Sequence, residues 1–182
     1  MNEKIIKISM LGASSTGKTK VAKRVAEACD LMYVDELAAT YIREGKRFTQ
    51  PQLLYEQYQK EIDATYKAII FEKNGYITDC DLRLTKIYTP IRNPSETKQL
   101  NKLFNILDPK YDMTFFANVN ENKMLEDNGS RFLDEETRKC VQSMIKTFLL
   151  DDPTIHIVNR DMNVRTDEII GIIYNYLETK NE

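Results

Sequence analysis

Gly12-Ala13-Ser14-Ser15-Thr16-Gly17-Lys18-Thr19 is the stretch whose reading decides the fold. It matches G-x-x-x-x-G-K-[ST] in full. In that pattern the glycines let the backbone curl, so that successive N–H groups point inward around a phosphate. The apolar run Ile5 to Leu11 precedes it and reads as a strand. Val21, Ala22, Val25 and Ala26 follow at helical spacing, so the loop opens a helix from Lys18 to Ala28. Unpaired N–H groups at that helix start favour the same anion. Gly12, Ser14, Ser15, Thr16, Gly17, Lys18 and Thr19 are therefore the candidate nucleotide-binding residues, with Lys18 reaching the β- and γ-phosphates as a catalytic charge. Thr19 offers its hydroxyl to Mg²⁺. ATP and Mg²⁺ are the implied cofactors.

Working outward, apolar runs at Leu31–Val34, Tyr76–Thr78, Met113–Val119 and Ile155–Val158 read as further strands. Helical spacing predicts helices over Leu37–Glu44, Gln52–Lys73, Leu82–Tyr88, Glu96–Asn105, Glu135–Leu150 and Asp167–Leu177. Along Gln52–Lys73 the apolar positions are Leu53, Leu54, Tyr58, Ile62, Tyr66, Ile69 and Ile70. Ser95, Asp134 and Thr166 stand where helix starts are expected. Thr89-Pro90 is read as the start of a loop. Strands alternating with helices predict an α/β fold, a five-stranded parallel sheet with helices on both faces. No repeat or linker divides residues 1–182, which are read as one P-loop domain whose lid segment spans about 120–138.

The chain has 182 residues, is 42% hydrophobic and carries a net charge of −2. That length and composition allow a buried core. The missing basic excess argues against general nucleic-acid binding. Cys29, Cys80 and Cys140 are far apart, no C-x-x-C pair occurs, and the single histidine, His156, lies in an apolar run. A Cys/His zinc site is not expected, and three reduced thiols point to a cytoplasmic protein. The first apolar run is too short for a membrane span.

Phosphate binding does not name a reaction. No N-K-x-D motif is present to read guanine. A short chain with acids at strand ends suits a small phosphoryl-transfer kinase, in which catalysis is positioning and charge stabilisation. Parallel sheets place ligands at strand C-termini, so four carboxylates are candidates. Asp79 is assigned to metal or substrate and Asp81 to a substrate hydroxyl. Asp35 and Glu36 are placed on the substrate side, with Glu36 preferred as catalytic base. Arg131 in the lid would stabilise charge on the transferring phosphoryl, with Arg138 as a further nucleotide contact.

Four segments together resemble one family: GASSTGKT, VDELAATYIREG, GYITDCDLRLTKIY and LEDNGSRFLDEETR. They look like the ribosylnicotinamide-kinase domain of the NadR proteins and the related small AAA-like P-loop proteins. The telling features are Asp79 and Asp81 followed by Thr85, and a lid pattern at Asp127, Gly129 and Arg131. The resemblance implies a fold of the nucleoside-monophosphate-kinase type. It also implies MgATP-dependent phosphorylation of a nucleoside-like acceptor, first the 5′-hydroxyl of nicotinamide riboside. No tryptophan is present, so the ring that stacks on the acceptor would be a tyrosine, with Tyr41 the candidate. A nucleotide or deoxynucleoside kinase and a regulatory ATP-binding switch are the alternatives.

Overall fold

A computed structural model describes residues 5–118, 135–149, 151–159 and 161–181. The chain runs β1 (Ile6–Leu11), α1 (Lys18–Ala28), β2 (Leu31–Val34), α2 (Leu37–Arg43), α3 (Gln50–Ile70), β3 (Gly75–Thr78) and α4 (Arg83–Arg92). A single 3-10 turn at Pro94–Glu96 leads to α5 (Thr97–Leu107), β4 (Met113–Ala117), α6 (Glu135–Leu149), β5 (Ile155–Val158) and α7 (Met162–Asn181). The five strands are parallel in the order β2-β3-β1-β4-β5.

β1 is central, and alternate side chains supply two cores because successive residues point to opposite faces. Ile6, Ile8 and Met10 pack with Val21 and Val25 of α1 and Ile169 and Ile173 of α7. Leu11 packs on the other face with Leu84 and Ile87 of α4, Phe116, and Val141 and Ile145 of α6. The β1–α1 turn, the β2–α2 turn and the β3–α4 turn all lie at the C-terminal edge of the sheet. That edge carries the site.

Several element boundaries differ from expectation. α4 does not stop at Tyr88 but runs through Pro90 to Arg92. Proline loses the N–H that would bond four residues back and its ring crowds that carbonyl, but Pro90 stands in the last turn, where only two helical residues follow. α7 begins at Met162, not Asp167, because Asp161 Oδ1 accepts the Asn163 and Val164 N–H groups at 2.9 and 3.1 Å. Thr166 lies inside the helix and donates to Met162 O at 2.7 Å. Ser95 forms no cap; it lies in the 3-10 turn before α5. Asp134 lies outside the described residues.

α3 buries the predicted stripe at Leu53 and Leu54 but not at its C-terminal end. Leu53, Leu54, Gln57, Glu61, Ala64 and Ala68 are buried, while Tyr66, Ile69 and Ile70 are exposed. Two polar residues, Gln57 and Glu61, sit on the buried face, so an apolar stripe drawn from sequence slides off it. Cys140 of α6, expected inward, is exposed.

Candidate active site

The loop between β1 and α1 is built on two close approaches. A Cβ on Gly12 would stand 2.6 Å from the Ala117 carbonyl oxygen at the end of β4, so the chain must be bare there. Gly17 caps α1 at φ 84°, in the left-handed region that glycine enters without strain. Thr16 Oγ1 donates to Ala13 O at 3.0 Å and braces the turn. Lys18 is buried, and its Nζ donates to Gly12 O and Ala13 O at 2.8 and 2.9 Å. The ammonium is thereby held over the loop.

Arg165 reaches the same loop from α7. It is fully buried, with Nη1 donating to Thr16 O at 2.6 Å and Nε donating to Asn159 O at 2.6 Å. Burial pulls its pKa below the usual arginine range. The loop is thus tied to the far end of the chain, 149 residues on. No local sequence signal marks this arginine.

Beside the loop opens a cleft whose empty space, open solvent at its mouth included, is about 640 Å³. Gly12, Ser14 and Lys18 of the loop form one side, and Glu36 and Asp79 supply carboxylates. Ala38 and Ile42 of α2 and Gln50 and Leu53 of α3 line one wall; Leu84, Thr85, Tyr88 and Arg92 of α4 line another, with Cys80 between. The run of α4 past Pro90 puts Tyr88 and Arg92 one turn apart, with the guanidinium carbon 4.9 Å from the ring centroid. Tyr88 Oη lies 3.4 Å from Ser14 Oγ, and burial raises its pKa. Burial likewise pushes the Cys80 thiol well above its ordinary value.

Asp79 follows β3 and is buried. Oδ2 accepts the Tyr33 hydroxyl at 2.7 Å, while Oδ1 has no hydrogen-bond partner among the described residues. Burial, then the Asp79 charge, raises the Tyr33 phenol well above its usual range, so it stays a donor. A buried carboxylate with one anchored and one unused oxygen fits a hard cation. Thr19, in the first turn of α1, is half-buried. Magnesium takes few protein ligands beside water and phosphate oxygens, and the unused Asp79 oxygen has the chemistry of such a ligand.

The two acids after β2 part company. Glu36 lines the cleft. Asp35 does not; its Oδ1 accepts Lys60 Nζ at 2.6 Å on the surface. Burial alone would raise the Asp35 pKa, but Lys60 outweighs it and holds the group below its ordinary value. Gln57 fixes the turn: its Oε1 accepts Leu37 N at 2.8 Å and its Nε2 donates to Asp35 O at 3.2 Å.

Asp81 is a correction. Its side chain is fully buried, with Oδ1 accepting Arg83 N and Nε at 2.8 and 2.9 Å. Oδ2 accepts Ser9 Oγ at 2.7 Å and Arg83 Nη2 at 2.6 Å. Every lone-pair direction is used within the scaffold, and Asp81 does not line the cleft. Tyr41 is a second correction. Its hydroxyl donates to Glu56 and its ring packs 5.7 Å from Phe48. The aromatic ring in the cleft is Tyr88. Arg138 is buried on α6 with Nη1 on Glu135 Oε2 at 3.0 Å, away from the cleft lining. Arg131, with Asp127 and Gly129, lies outside the described residues.

Gln50, Tyr88, Arg92 and Arg165 escaped the reading of sequence, whereas Thr85 is marked there by its place after Asp79 and Asp81. A helix predicted to end at Tyr88 hid the pairing with Arg92, and nothing local distinguishes Gln50 from the other glutamines around it.

A family model described as an AAA domain matches residues 7–163. No curated protein matches at comparable stringency. Among solved structures, a NadR protein in complex with NR aligns with a TM-score of 0.66 at 19% identity, over 94% of this chain and 49% of that one. A deoxyadenosine kinase from M. mycoides with bound dATP aligns at 0.56 and 14% identity, covering 95% of this chain and 99% of that. Thymidylate kinase from Ehrlichia chaffeensis aligns at 0.61 and 16%, covering 92% and 98%. The chain therefore spans about half the length of the NadR protein it matches, and shares its fold with P-loop kinases. The family match begins in β1, takes in the phosphate loop and the whole cleft edge and ends at the start of α7, and on it the chain belongs to the AAA_28 family of AAA domains.

Proposed function

We propose that this protein is a MgATP-dependent small-molecule kinase acting on a nucleoside-like hydroxyl, with the 5′-hydroxyl of nicotinamide riboside as first acceptor. One observation carries the reading: the phosphate loop opens into a cleft that also holds two carboxylates, one of which, Asp79, keeps a buried oxygen without a partner among the described residues. A protein that binds nucleotide as a switch does not require cleft carboxylates beside Lys18, whereas an acceptor hydroxyl does. The likeness to NadR and to two nucleoside or nucleotide kinases supports it.

In this reading Thr19 and Asp79 would hold magnesium, which when bound neutralises phosphate charge. Lys18 leaves the carbonyls of Gly12 and Ala13 for the β- and γ-phosphates. Glu36 accepts the proton as the acceptor hydroxyl oxygen attacks the γ-phosphorus. The bond from that phosphorus to the bridging oxygen breaks, and ADP departs with the electron pair. Arg131 would add charge stabilisation from the lid.

A second reading has its own observation. Arg92 puts a cation in the acceptor cleft, which suits an acceptor already carrying a phosphate. The test covers both: ADP release with MgATP against nicotinamide riboside, nucleosides and nucleoside monophosphates, with Lys18→Ala as control. Stimulation by nicotinamide riboside, abolished in Lys18→Ala, is expected. Stimulation by monophosphates alone transfers the assignment to a nucleotide kinase. Hydrolysis that no acceptor stimulates refutes both.

A further inference from the structure

Three glutamines are buried in this chain, and two of them use their carboxamides. Gln57 bonds the β2–α2 turn on both sides, and Gln142 Nε2 donates to Asn118 Oδ1 at 2.9 Å while its buried Oε1 has no partner among the described residues. Gln50 differs. It is 6% exposed and lines the cleft, yet its side chain makes no hydrogen bond among the described residues. Its backbone is pinned: it opens α3 behind the Thr49 cap, its N–H donates to Glu96 Oε2 at 2.5 Å, and Pro51 follows. The amide is therefore carried on a fixed stem. Neither polar atom of the amide is sealed in the core, so both are open to the cleft, where a ligand's complementary edge can meet them.

The surroundings state what that ligand is. Ala38, Ile42 and Leu53 give apolar contact, and Tyr88 adds an aromatic ring with the Arg92 guanidinium over one of its faces. Those walls suit a planar heterocycle. A glutamine amide presents one donor beside one acceptor, so its best partner presents an acceptor beside a donor. Resting on the kinase reading of the cleft, we propose that Gln50 is the specificity residue for the acceptor. It pairs with an amide-like edge of the acceptor's heterocycle, either a neutral carboxamide or the donor–acceptor edge of a nucleobase. A carboxylate at the same place presents two acceptors and is discriminated against.

The test is calorimetric binding to the full chain, with three ligand pairs as probes. They are nicotinamide riboside against nicotinic acid riboside, adenosine against purine riboside, and thymidine against 3-methylthymidine. In each pair the second member has lost the amide-like edge. The wild type is expected to bind at least one first member about 10- to 100-fold more tightly than its partner. Gln50→Leu should collapse that ratio toward one, and Gln50→Glu should lower it. MgATP binding to each variant checks that it is folded; if Gln50→Leu fails that check, the wild-type ratios and Gln50→Glu decide. Equal affinities within every pair, an unchanged ratio in the folded variants, or no binding of any first member overturns the proposal. Edge-dependent binding without acceptor-stimulated ADP release would remove the kinase reading and leave this one standing. ADP release indifferent to the edge would do the reverse.

Discussion

At the scale of single residues, the cleft sorts groups that look alike in sequence. Asp79 and Asp81 are two positions apart, yet one faces the cleft and the other is consumed by Ser9 and Arg83. Asp79→Asn keeps the shape and removes the charge that suits a cation. It is expected to raise the Mg²⁺ concentration for half-maximal activity about 10- to 100-fold, read from metal titrations of ADP release. Gly12→Ala would drive a methyl to 2.6 Å from Ala117 O. Because that neighbour is backbone, the loop must move, and both nucleotide affinity and Tm should fall. The thiols give an independent check. Cys140 is exposed, whereas Cys29 is buried with its pKa pushed up to about 11 by that burial. Timed alkylation followed by peptide mapping should label Cys140 first.

At the scale of elements, helix ends meet the sheet through a buried ion pair. Arg83 opens α4, bonds Asp81 and Thr114 Oγ1 at 2.7 Å, and reaches Asp152 before β5 at 2.7 Å. Burial works against its charge, and Asp81 more than restores it, so its pKa is raised. Removing one member of such a pair strands the other. Arg83→Met is expected to destabilise the fold by about 3–5 kcal/mol, and the double variant with Asp81→Asn by less. Denaturant unfolding of the two single variants and the double variant reads this directly. A double variant as unstable as the sum of the singles would show that the pair is not coupled. Elements were legible in sequence as far as their periodicity held: among the described residues, each of the five strands and seven helices overlaps the segment that apolar spacing predicted. What misled were side chains acting at helix ends and on buried faces. Asp161 starts α7 five residues early, α4 passes its proline, and Gln57 and Glu61 place polar atoms on the inward face of α3.

At the scale of the whole molecule, Glu61 links α3 to two other elements. Its carboxyl accepts Tyr76 Oη from β3 and Tyr111 Oη from the turn before β4, each at 3.1 Å. Burial, then the nearby Asp81 charge, raises its pKa to about 8. A raised folded pKa means the folded state binds the proton more tightly than the unfolded state. Its stabilising share is full below the ordinary glutamate range and is lost as pH rises through about 8. Tm should therefore decline between pH 6 and 9, and Glu61→Gln should flatten that decline. Parallel slopes for the two proteins would show that Glu61 is not the group responsible.

By itself the sequence determined the phosphate loop, the alternation that makes a parallel α/β sheet, and the edge at which acids gather. These are properties of short segments, set by glycine geometry and by hydrophobic period. Only the tertiary structure decided which acid faces the cleft, that Tyr88 and not Tyr41 lines it, that Arg165 clasps the loop, and that Gln50 keeps an uncommitted amide. Those outcomes depend on which distant groups arrive beside a side chain, 149 residues away for Arg165 and Thr16. Hydrogen-bond partners drawn from such distances leave no periodic trace in the chain.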